Sequence, residues 1–531
     1  MIEIFVADDV NESGLEPLRA AGFSVEKRTG LKGDELAEAM STADGLIVRS
    51  ETKVTAQLLE VAGRLRVIGR AGVGVDNIDV AAATQRGVIV MNAPDGNTMT
   101  TAEHTLALLL ALARRVPSGQ ASLKAGRWER KKFVGVELRG KTLGVVGLGR
   151  IGRVVASRAL GFEMKVVAFD PFVAPEQVRE QGIEMATLEE VCARADFITV
   201  HSPLTPETRG LIGAREFSWM KEGVRVINCA RGGLIDERAL LEAIKMGRVA
   251  GAALDVFEQE PPPPDHPLLS LEEVVVTPHL GASTREAQEG VAVTVAEQMR
   301  DFFLTGAVRG AVNVPAVGAQ ELKVLEPYLR LAERLGRFQA QLVDEPVRAV
   351  EIEYAAEATT FDASPVTRVF IAGLLRNVSA RVNVVNALLI AEERGIAVTV
   401  SHRHAAAGAE AREPVRTRVR TVAGEHTVAG ALFGQVADGR VTEIDGFRIE
   451  ATPAGHMLLT RSSDVPGVIG RIGTILGDHG VNISRFHLGR RERGGEAMAV
   501  IETDAPPDDS TLEELRAFEP VISARRIALE G

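Results

Sequence analysis

Cysteine is almost absent from this chain: Cys192 and Cys229 are the only two in 531 residues. So sparse a set excludes a disulfide scaffold and suits a reducing cytoplasm. Long apolar runs are missing as well. The longest, Leu106 to Ala113, falls well short of the roughly 20 residues needed to cross a bilayer. The opening Met1-Ile2-Glu3-Ile4-Phe5 has no basic segment ahead of an apolar one and runs directly into a strand-like pattern, so no signal peptide is expected. Positive charge is not in excess either. With 61 Lys and Arg against 72 Asp and Glu the net charge is −11, which argues against a nucleic-acid surface spread over the whole molecule. Repeats and low-complexity tracts are missing beyond Pro261–Pro264. What is there, 45% hydrophobic and 25% charged residues, is the composition of a globular protein. The length predicts three or four domains, each with its own core.

Short β-branched runs alternate with amphipathic stretches through the first hundred residues. Ile2–Ala7, Phe23–Glu26, Gly45–Val48, Arg66–Gly69 and Val88–Met91 read as buried parallel strands, with helical spacing between them. An Ala- and Leu-rich helix from about Thr100 to Val116 should be buried, between domains. A second series begins at Lys141, with strands at Leu143–Val146, Lys165–Phe169, Phe197–Val200, Val224–Asn228, Gly251–Leu254 and Val274–Thr277, and it ends in a long helix, Ser283–Leu304. Two doubly wound α/β domains are therefore expected in the first ~310 residues. Beyond Val312-Asn313-Val314-Pro315 the pattern changes to helices near Glu321–Leu342 and Val366–Val378, then alternating strands between Ala397 and Glu450. From His456 it reads βαββαβ, the ferredoxin-like module. Residues 403–420 carry five arginines, three of them alternating as Arg416, Arg418 and Arg420. In an acidic chain these read as the solvated face of a strand.

Two groups of residues carry chemistry. In the first, Lys141-Thr-Leu-Gly-Val-Val runs into Gly147-Leu-Gly149-Arg150-Ile151-Gly152, a strand, a G-x-G-x-x-G turn and the start of a helix. Gly147 permits the tight turn, Gly149 lets a pyrophosphate approach the backbone, and Gly152 lets the helix pack on the strand. The pyrophosphate would sit on the helix N-terminus. Asp170 follows at the end of the next strand, where an acidic group accepts the ribose hydroxyls and repels a 2′-phosphate, favouring NAD over NADP. The second group is Arg231, Glu260 and His279, each just past the end of a different strand of that domain, where an open α/β sheet has its ligand crevice. Oxidising an alcohol beside a nicotinamide needs a base for the hydroxyl proton, and imidazole titrates near neutrality. A carboxylate would orient the ring, and a guanidinium would hold a substrate carboxylate. Each has a plainer alternative: Arg231 as a helix cap, Glu260 as a loop residue, His279 as a structural histidine. Asp255 could hydrogen-bond a nicotinamide carboxamide or serve a turn. Cys229, with no base beside it, reads as a small buried residue rather than a nucleophile. His104, His201, His266 and His487 show no comparable context, and no His/Cys spacing suggests a metal site.

Taken together, Val-Val-Gly147-Leu-Gly149-Arg-Ile-Gly152, Asn228-Cys-Ala-Arg231-Gly-Gly, Ala253-Leu-Asp255-Val-Phe-Glu-Gln-Glu260-Pro-Pro and Thr277-Pro-His279-Leu-Gly-Ala-Ser-Thr resemble the D-2-hydroxyacid dehydrogenase family. Arg70-Ala-Gly-Val-Gly-Val-Asp-Asn-Ile-Asp79 and Arg127-Trp-Glu-Arg-Lys-Lys-Phe resemble its branch acting on 3-phospho-D-glycerate. The total length is similar to that branch's long form, with an intervening domain and a C-terminal ACT module. The resemblance implies a discontinuous substrate-binding domain (1–98 and 283–315), an NAD-binding Rossmann domain (99–282), an intervening α+β domain (316–452) and an ACT regulatory domain (455–531). It implies that Arg231 grips the substrate carboxylate, Glu260 supports the imidazole and His279 is the acid/base. Arg150 and Ile151 would meet the pyrophosphate, Asp170 the adenosine ribose, and Val73, Ser202, Cys229, Ala230, Asp255 and the turn His279–Ala282 the nicotinamide half. Arg49, Ser50, Arg70, Gly72 and Gly74 would form the substrate-side wall.

A phosphorylated substrate asks for a basic pocket. Arg49, Arg70 and the Arg130-Lys131-Lys132 cluster are available, the last either from a partner subunit or merely as a solvated loop. In the ACT-like end, Asp464 and Asn482 resemble an amino-acid-binding turn that would bind L-serine across a dimer interface. The alternative there is a dimerisation module without ligand, and Arg461 and Ser462 could alter serine binding. The expected protein is a cytoplasmic homodimer or homotetramer using NAD, without metal, nucleic acid or membrane, that oxidises 3-phospho-D-glycerate in serine synthesis. Rival readings are another D-2-hydroxyacid dehydrogenase and an NAD-sensing binding protein on the same fold.

Overall fold

Four-residue runs such as Gly45-Leu-Ile-Val, buried on both faces, cannot sit at a solvated surface and instead build a covered parallel sheet. The computed structural model, which describes residues 1–355, 362–378, 381–403, 415–434 and 437–529, places five short strands side by side, four largely buried and the fifth, Ser24–Lys27, half-exposed at the edge. These are β1 (Glu3–Val6), β2 (Ser24–Lys27), β3 (Gly45–Val48), β4 (Val67–Arg70) and β5 (Ile89–Asn92), in the order β2-β1-β3-β4-β5. The helix Arg285–Thr305 returns to cover this sheet, burying Val291, Val295, Ala296 and Met299. It comes so close that a Cβ on Gly69 would lie 2.3 Å from Val295, and one on Gly45 2.6 Å from Met299. Each fully buried Val or Met contributes about 1.5–3 kcal/mol.

The second sheet has seven parallel strands: β6 (Thr142–Val146), β7 (Lys165–Phe169), β8 (Ile183–Met185), β9 (Phe197–Val200), β10 (Val224–Asn228), β11 (Val249–Leu254) and β12 (Val274–Val276). Their order, β12-β11-β10-β9-β6-β7-β8, reverses beside β6, the strand that feeds the glycine-rich turn. Ligand crevices of open α/β sheets lie at such a reversal. The helix Thr98–Arg114 links the two sheets and buries Ala102, Leu106, Leu109 and Leu112 in the second domain's core. It ends two residues short of the expected Val116, because Arg115 adopts φ +52° and Pro117 opens a new helix, Val116–Lys124.

In the third sheet β13 (Ala349–Ala355) pairs parallel with β14 (Ala397–Arg403) and antiparallel with β15 (Val415–Arg420), followed by β16 (Glu425–Phe433), β17 (Asp438–Ile444) and β18 (Phe447–Ala451). Strand β13 was not among the expected elements, although Ala-Val-Glu-Ile-Glu-Tyr-Ala alternates as a half-buried strand should. Nor were β8 and the short helix Ala387–Glu393 expected. Glu351 meets Arg418 (3.1 Å) and Arg420 (2.9 Å), and Arg416 meets Glu443 (2.9 Å), so the arginine stripe is a cross-strand ion-pair ladder. Arg412, another of the five, lies outside the described residues. The helices Ala319–Ala340 and Ser364–Leu375 cover the opposite face, crossing where a Cβ on Gly336 would strike the Phe370 carbonyl.

The last sheet, β20 (Ile483–Arg490), β21 (Glu496–Thr503), β19 (Gly455–Ser463) and β22 (Val521–Leu529), is antiparallel in the order β20-β21-β19-β22, with two helices between its strands. One face packs on the helices Val468–Asp478 and Asp509–Ala517; Met457, Met498 and Ile527 from the other join the core of the third sheet. The third domain touches the first through Asn383 and Asn386, whose amides donate to the carbonyls of Gly87 and Gln85 (both 3.0 Å). Among the described residues no helix is long and apolar enough to cross a membrane.

Candidate active site

The glycine-rich turn is shaped as each position requires. Gly147 adopts φ +95°, and a Cβ there would lie 2.7 Å from the His201 carbonyl carbon. A Cβ on Gly152 would lie 2.1 Å from the Gly147 carbonyl oxygen, whereas one on Gly149 would meet nothing within 4 Å. Gly149 is thus bare where the fold itself does not demand it, on the side left open to a ligand. It also caps the helix Arg150–Gly161 without any side-chain hydrogen bond, so the first amides remain available to an anion. Asp170 accepts from Leu148 N–H (2.8 Å) and Phe172 N–H (2.9 Å), which sets its carboxylate beside the turn. The uncapped helix start, the unfilled space at Gly149 and the acid beside the turn fit a dinucleotide. Arg150 reaches Asp95 (2.8 Å), Ile151 packs on the domain core, and Ser202 lies against the backbone of Gly147.

Across the crevice, three strands bring their end residues together. His279 Nδ1 lies 2.7 Å from Glu260 Oε2, and Glu260 Oε1 accepts from Phe257 N–H (3.1 Å). Burial works to raise the Glu260 pKa, but the His279 hydrogen bond and charge, the Phe257 amide and the charge of Arg231 outweigh it and hold the carboxyl below its usual range. Glu260 is therefore an anion at neutral pH. It fixes Nδ1 as the donor and leaves Nε2 to exchange a proton. Arg231 is oriented from β10: buried Asn228 donates to the Arg231 carbonyl (2.8 Å) and accepts from Ala230 N–H (3.0 Å), while Arg231 Nη1 donates to the Ala230 carbonyl (2.7 Å). The loops bearing Arg231 and Glu260 press together so closely that a Cβ on Gly232 would lie 1.8 Å from the Phe257 carbonyl oxygen.

Asp255 is 1% exposed and saturated by protein donors. It accepts from Thr277 Oγ1 (2.5 Å), Leu280 N–H (2.7 Å), Gly281 N–H (2.8 Å) and His104 Nε2 (3.1 Å). Burial opposes its ionisation, and the bonds from His104, Thr277 and Leu280 prevail, keeping its pKa low. Its carbonyl also accepts from His279 N–H (2.9 Å), and His279 takes the left-handed φ of +55°. Asp255 thus clamps the turn that presents His279, with Ala282 just beyond. His104 has the context its sequence seemed to lack. Thr101, His104 and Thr105 lie on one face of the polar N-terminal half of this helix, at i, i+3 and i+4. Cys229 is buried, and desolvation pushes its thiol up to about 12, which disarms it as a nucleophile.

The opposing wall comes from the strand ends of the first sheet. Arg49 follows β3 and is tied by its N–H to Asp8 Oδ2 (2.6 Å), with exposed Ser50 beside it. Arg70 ends β4; its guanidinium covers Gly72 so closely that a Cβ there would lie 1.6 Å from Nη1. Burial foremost, together with the charges of Arg231 and Arg49, pushes Arg70 down to about 10, and its buried Nε has no hydrogen-bond partner. Gly74 lies under Arg231 in the same way, and the Val73 carbonyl accepts from Asn92. Three guanidinium groups thus converge with one buried donor unmet, the state of a site built for an anion. The Arg130–Lys132 turn is exposed, and Lys132 pairs with Glu272 (3.5 Å). In the last domain Asp464 accepts from Arg490 (3.0 Å) and Gly494 N–H (2.9 Å), and Asn482 donates to Asp504 (2.7 Å). Among the described residues no group of three or more His, Cys, Asp or Glu side chains is placed to hold a metal ion.

A doubly wound dinucleotide domain whose strand ends deliver arginine, glutamate and histidine defines a nicotinamide-dependent dehydrogenase of 2-hydroxy acids. Family models agree along the chain. Residues 106–281 match the NAD-binding domain of the D-isomer specific 2-hydroxyacid dehydrogenases, 324–445 the D-3-phosphoglycerate dehydrogenase intervening domain, and 456–520 the ACT domain. Proteins named D-3-phosphoglycerate dehydrogenase from Archaeoglobus fulgidus and Bacillus subtilis are each 43% identical, covering 99% and 100% of this chain and 100% of their own lengths. A crystal structure of a Thermus thermophilus protein is 39% identical with a TM-score of 0.54, covering 59% of this chain and 100% of its own. Aquifex aeolicus D-lactate dehydrogenase, solved with NAD and lactic acid, is 28% identical with a TM-score of 0.52 over the same shares. The chain belongs to the D-3-phosphoglycerate dehydrogenase family, in the form that carries an intervening and an ACT domain.

Proposed function

We propose that this chain is a cytoplasmic, NAD-dependent dehydrogenase that oxidises 3-phospho-D-glycerate to 3-phosphooxypyruvate, the first step of L-serine synthesis. Arg231 holds the substrate carboxylate and His279 Nε2 takes the hydroxyl proton. Glu260 stabilises the imidazolium formed, and Arg49 and Arg70 face the phosphate. NAD, when bound, accepts the hydride; Gly147–Gly152 and Asp170 hold its pyrophosphate and adenosine ribose, and Val73, Ser202, Cys229, Ala230 and the Asp255-clamped turn through Ala282 line its nicotinamide end. Residues 1–98 with 283–315 act as the substrate domain and 99–282 as the cofactor domain, closing over the crevice to exclude water. The observation that carries the substrate assignment is the arginine triplet with its unmet Arg70 donor. Purified protein with NADH should reduce 3-phosphooxypyruvate; NADH binding without turnover would reject that substrate in favour of other 2-oxo acids or a sensor.

The ACT domain is read as an effector site, with L-serine as its ligand and a second subunit completing it. Asp464 and Asn482 already hold partners, so serine must exchange Asp464 from Arg490 and Asn482 from Asp504. Inhibition by millimolar serine that disappears in Asp464→Ala would support this; turnover indifferent to serine would leave the domain an assembly role.

A further inference from the structure

Arg231 has a carboxylate partner before any substrate arrives. Asp76 Oδ2 accepts from Arg231 Nε at 3.0 Å, joining the loop after β4 in the first domain to the loop after β10 in the second. The contact is packed from beneath: a Cβ on Gly74 would lie 1.8 Å from Arg231 Nη2 and 2.6 Å from Asp76 Oδ2. The loop that carries Asp76 is pinned. Asn77 Nδ2 donates to the carbonyls of Arg49 (2.8 Å) and Thr52 (2.7 Å), and Asp79 caps the following helix through Ala82 N–H (2.9 Å). Nearby Asp8 is 1% exposed and spent on Thr52 and the Arg49 amide. Asp76, by contrast, keeps a 60% exposed side chain, so it can leave Arg231 for water.

We propose that Asp76 is a displaceable counter-ion of the active site: it occupies Arg231 while the crevice is empty and gives way to the substrate carboxylate. The idea rests on the assignment of Arg231 to that carboxylate. Asp76 acts through Arg231, as a carboxylate that competes with the substrate's for the guanidinium. An exposed ion pair is weak, so its loss should tighten anion binding by only about two- to fivefold.

The full-length protein loaded with NADH, titrated with oxalate, tests this without turnover. Oxalate offers the carboxylate and adjoining oxygen of a 2-oxo acid. Asp76→Asn keeps the shape and removes the charge; it should lower the oxalate Kd and the substrate KM two- to fivefold, with NADH affinity unchanged. Asp76→Glu should restore wild-type values, and Asp76→Ser provides the same loss of charge should the amide variant fail to fold. Oxalate binding that is unchanged or weaker in the uncharged variants would overturn the proposal. Tighter oxalate binding in a protein that does not turn over 3-phosphooxypyruvate would uphold the counter-ion and sink only the substrate assignment.

Discussion

Two polar sites in this chain differ in what their side chains already hold. In the crevice between the first two domains, Arg70 Nε is buried without a partner and the space above Gly149 is empty. In the ACT domain, Asp464 is bound by Arg490 and Gly494, and Asn482 by Asp504. The first site leaves the Arg70 donor unmet and pairs Arg231 with exposed Asp76. The second has both of its named side chains engaged, so an effector there must break bonds in order to make bonds.

The contrast is broken most severely at His279. Replacing it by Ala should cut kcat by about 10²–10⁴-fold and leave NADH binding intact, as read by steady-state rates beside fluorescence titration. Near-native kcat would remove the proton-transfer assignment. A sharper cut separates two glycines of one turn. Gly152→Ala must push against the Gly147 carbonyl and should destabilise the domain by about 1–3 kcal/mol, seen as a lower Tm. Gly149→Ala meets no protein atom, so Tm should hold while NADH affinity falls about tenfold or more.

Next in size is a pH effect beneath the same turn. Burial pushes the His201 imidazole from 6.5 down to about 4, so the folded chain stays neutral there while the unfolded chain takes up a proton below about 6.5. Stability should therefore decline as pH falls from about 6.5 to 4, by on the order of 2–3 kcal/mol, and His201→Gln should flatten that slope in denaturant titrations. The smallest effect belongs to the ladder on the third sheet. Its pairs are about a third exposed, so Arg418→Ala should cost less than about 1 kcal/mol.

Legibility in the sequence followed the same division. The parallel strands and the glycine turn could be read, because buried strands and backbone-approach glycines permit few alternatives; Arg231, Glu260 and His279 were legible as positions just past strand ends, and the structure adds the His279–Glu260 contact. His104 and Asp76 could not be read so directly. Their roles depend on partners 151 and 155 residues away, Asp255 and Arg231, and only the packed chain sets those distances. The strand β13 is a different case: it alternates as a half-buried strand, and its Glu351 and Glu353 find their arginine partners only on neighbouring strands.

The central claim is that the arginine wall selects a phosphorylated 2-hydroxy acid. Its most direct test is the ratio of kcat/KM for 3-phosphooxypyruvate to that for hydroxypyruvate, measured in the wild type and in Arg70→Gln. The wild-type ratio should be about 10² or more, and losing one charge-assisted contact of roughly 1.5–3 kcal/mol should lower it at least tenfold. A wild-type ratio near one, or a ratio untouched by the substitution, would contradict it.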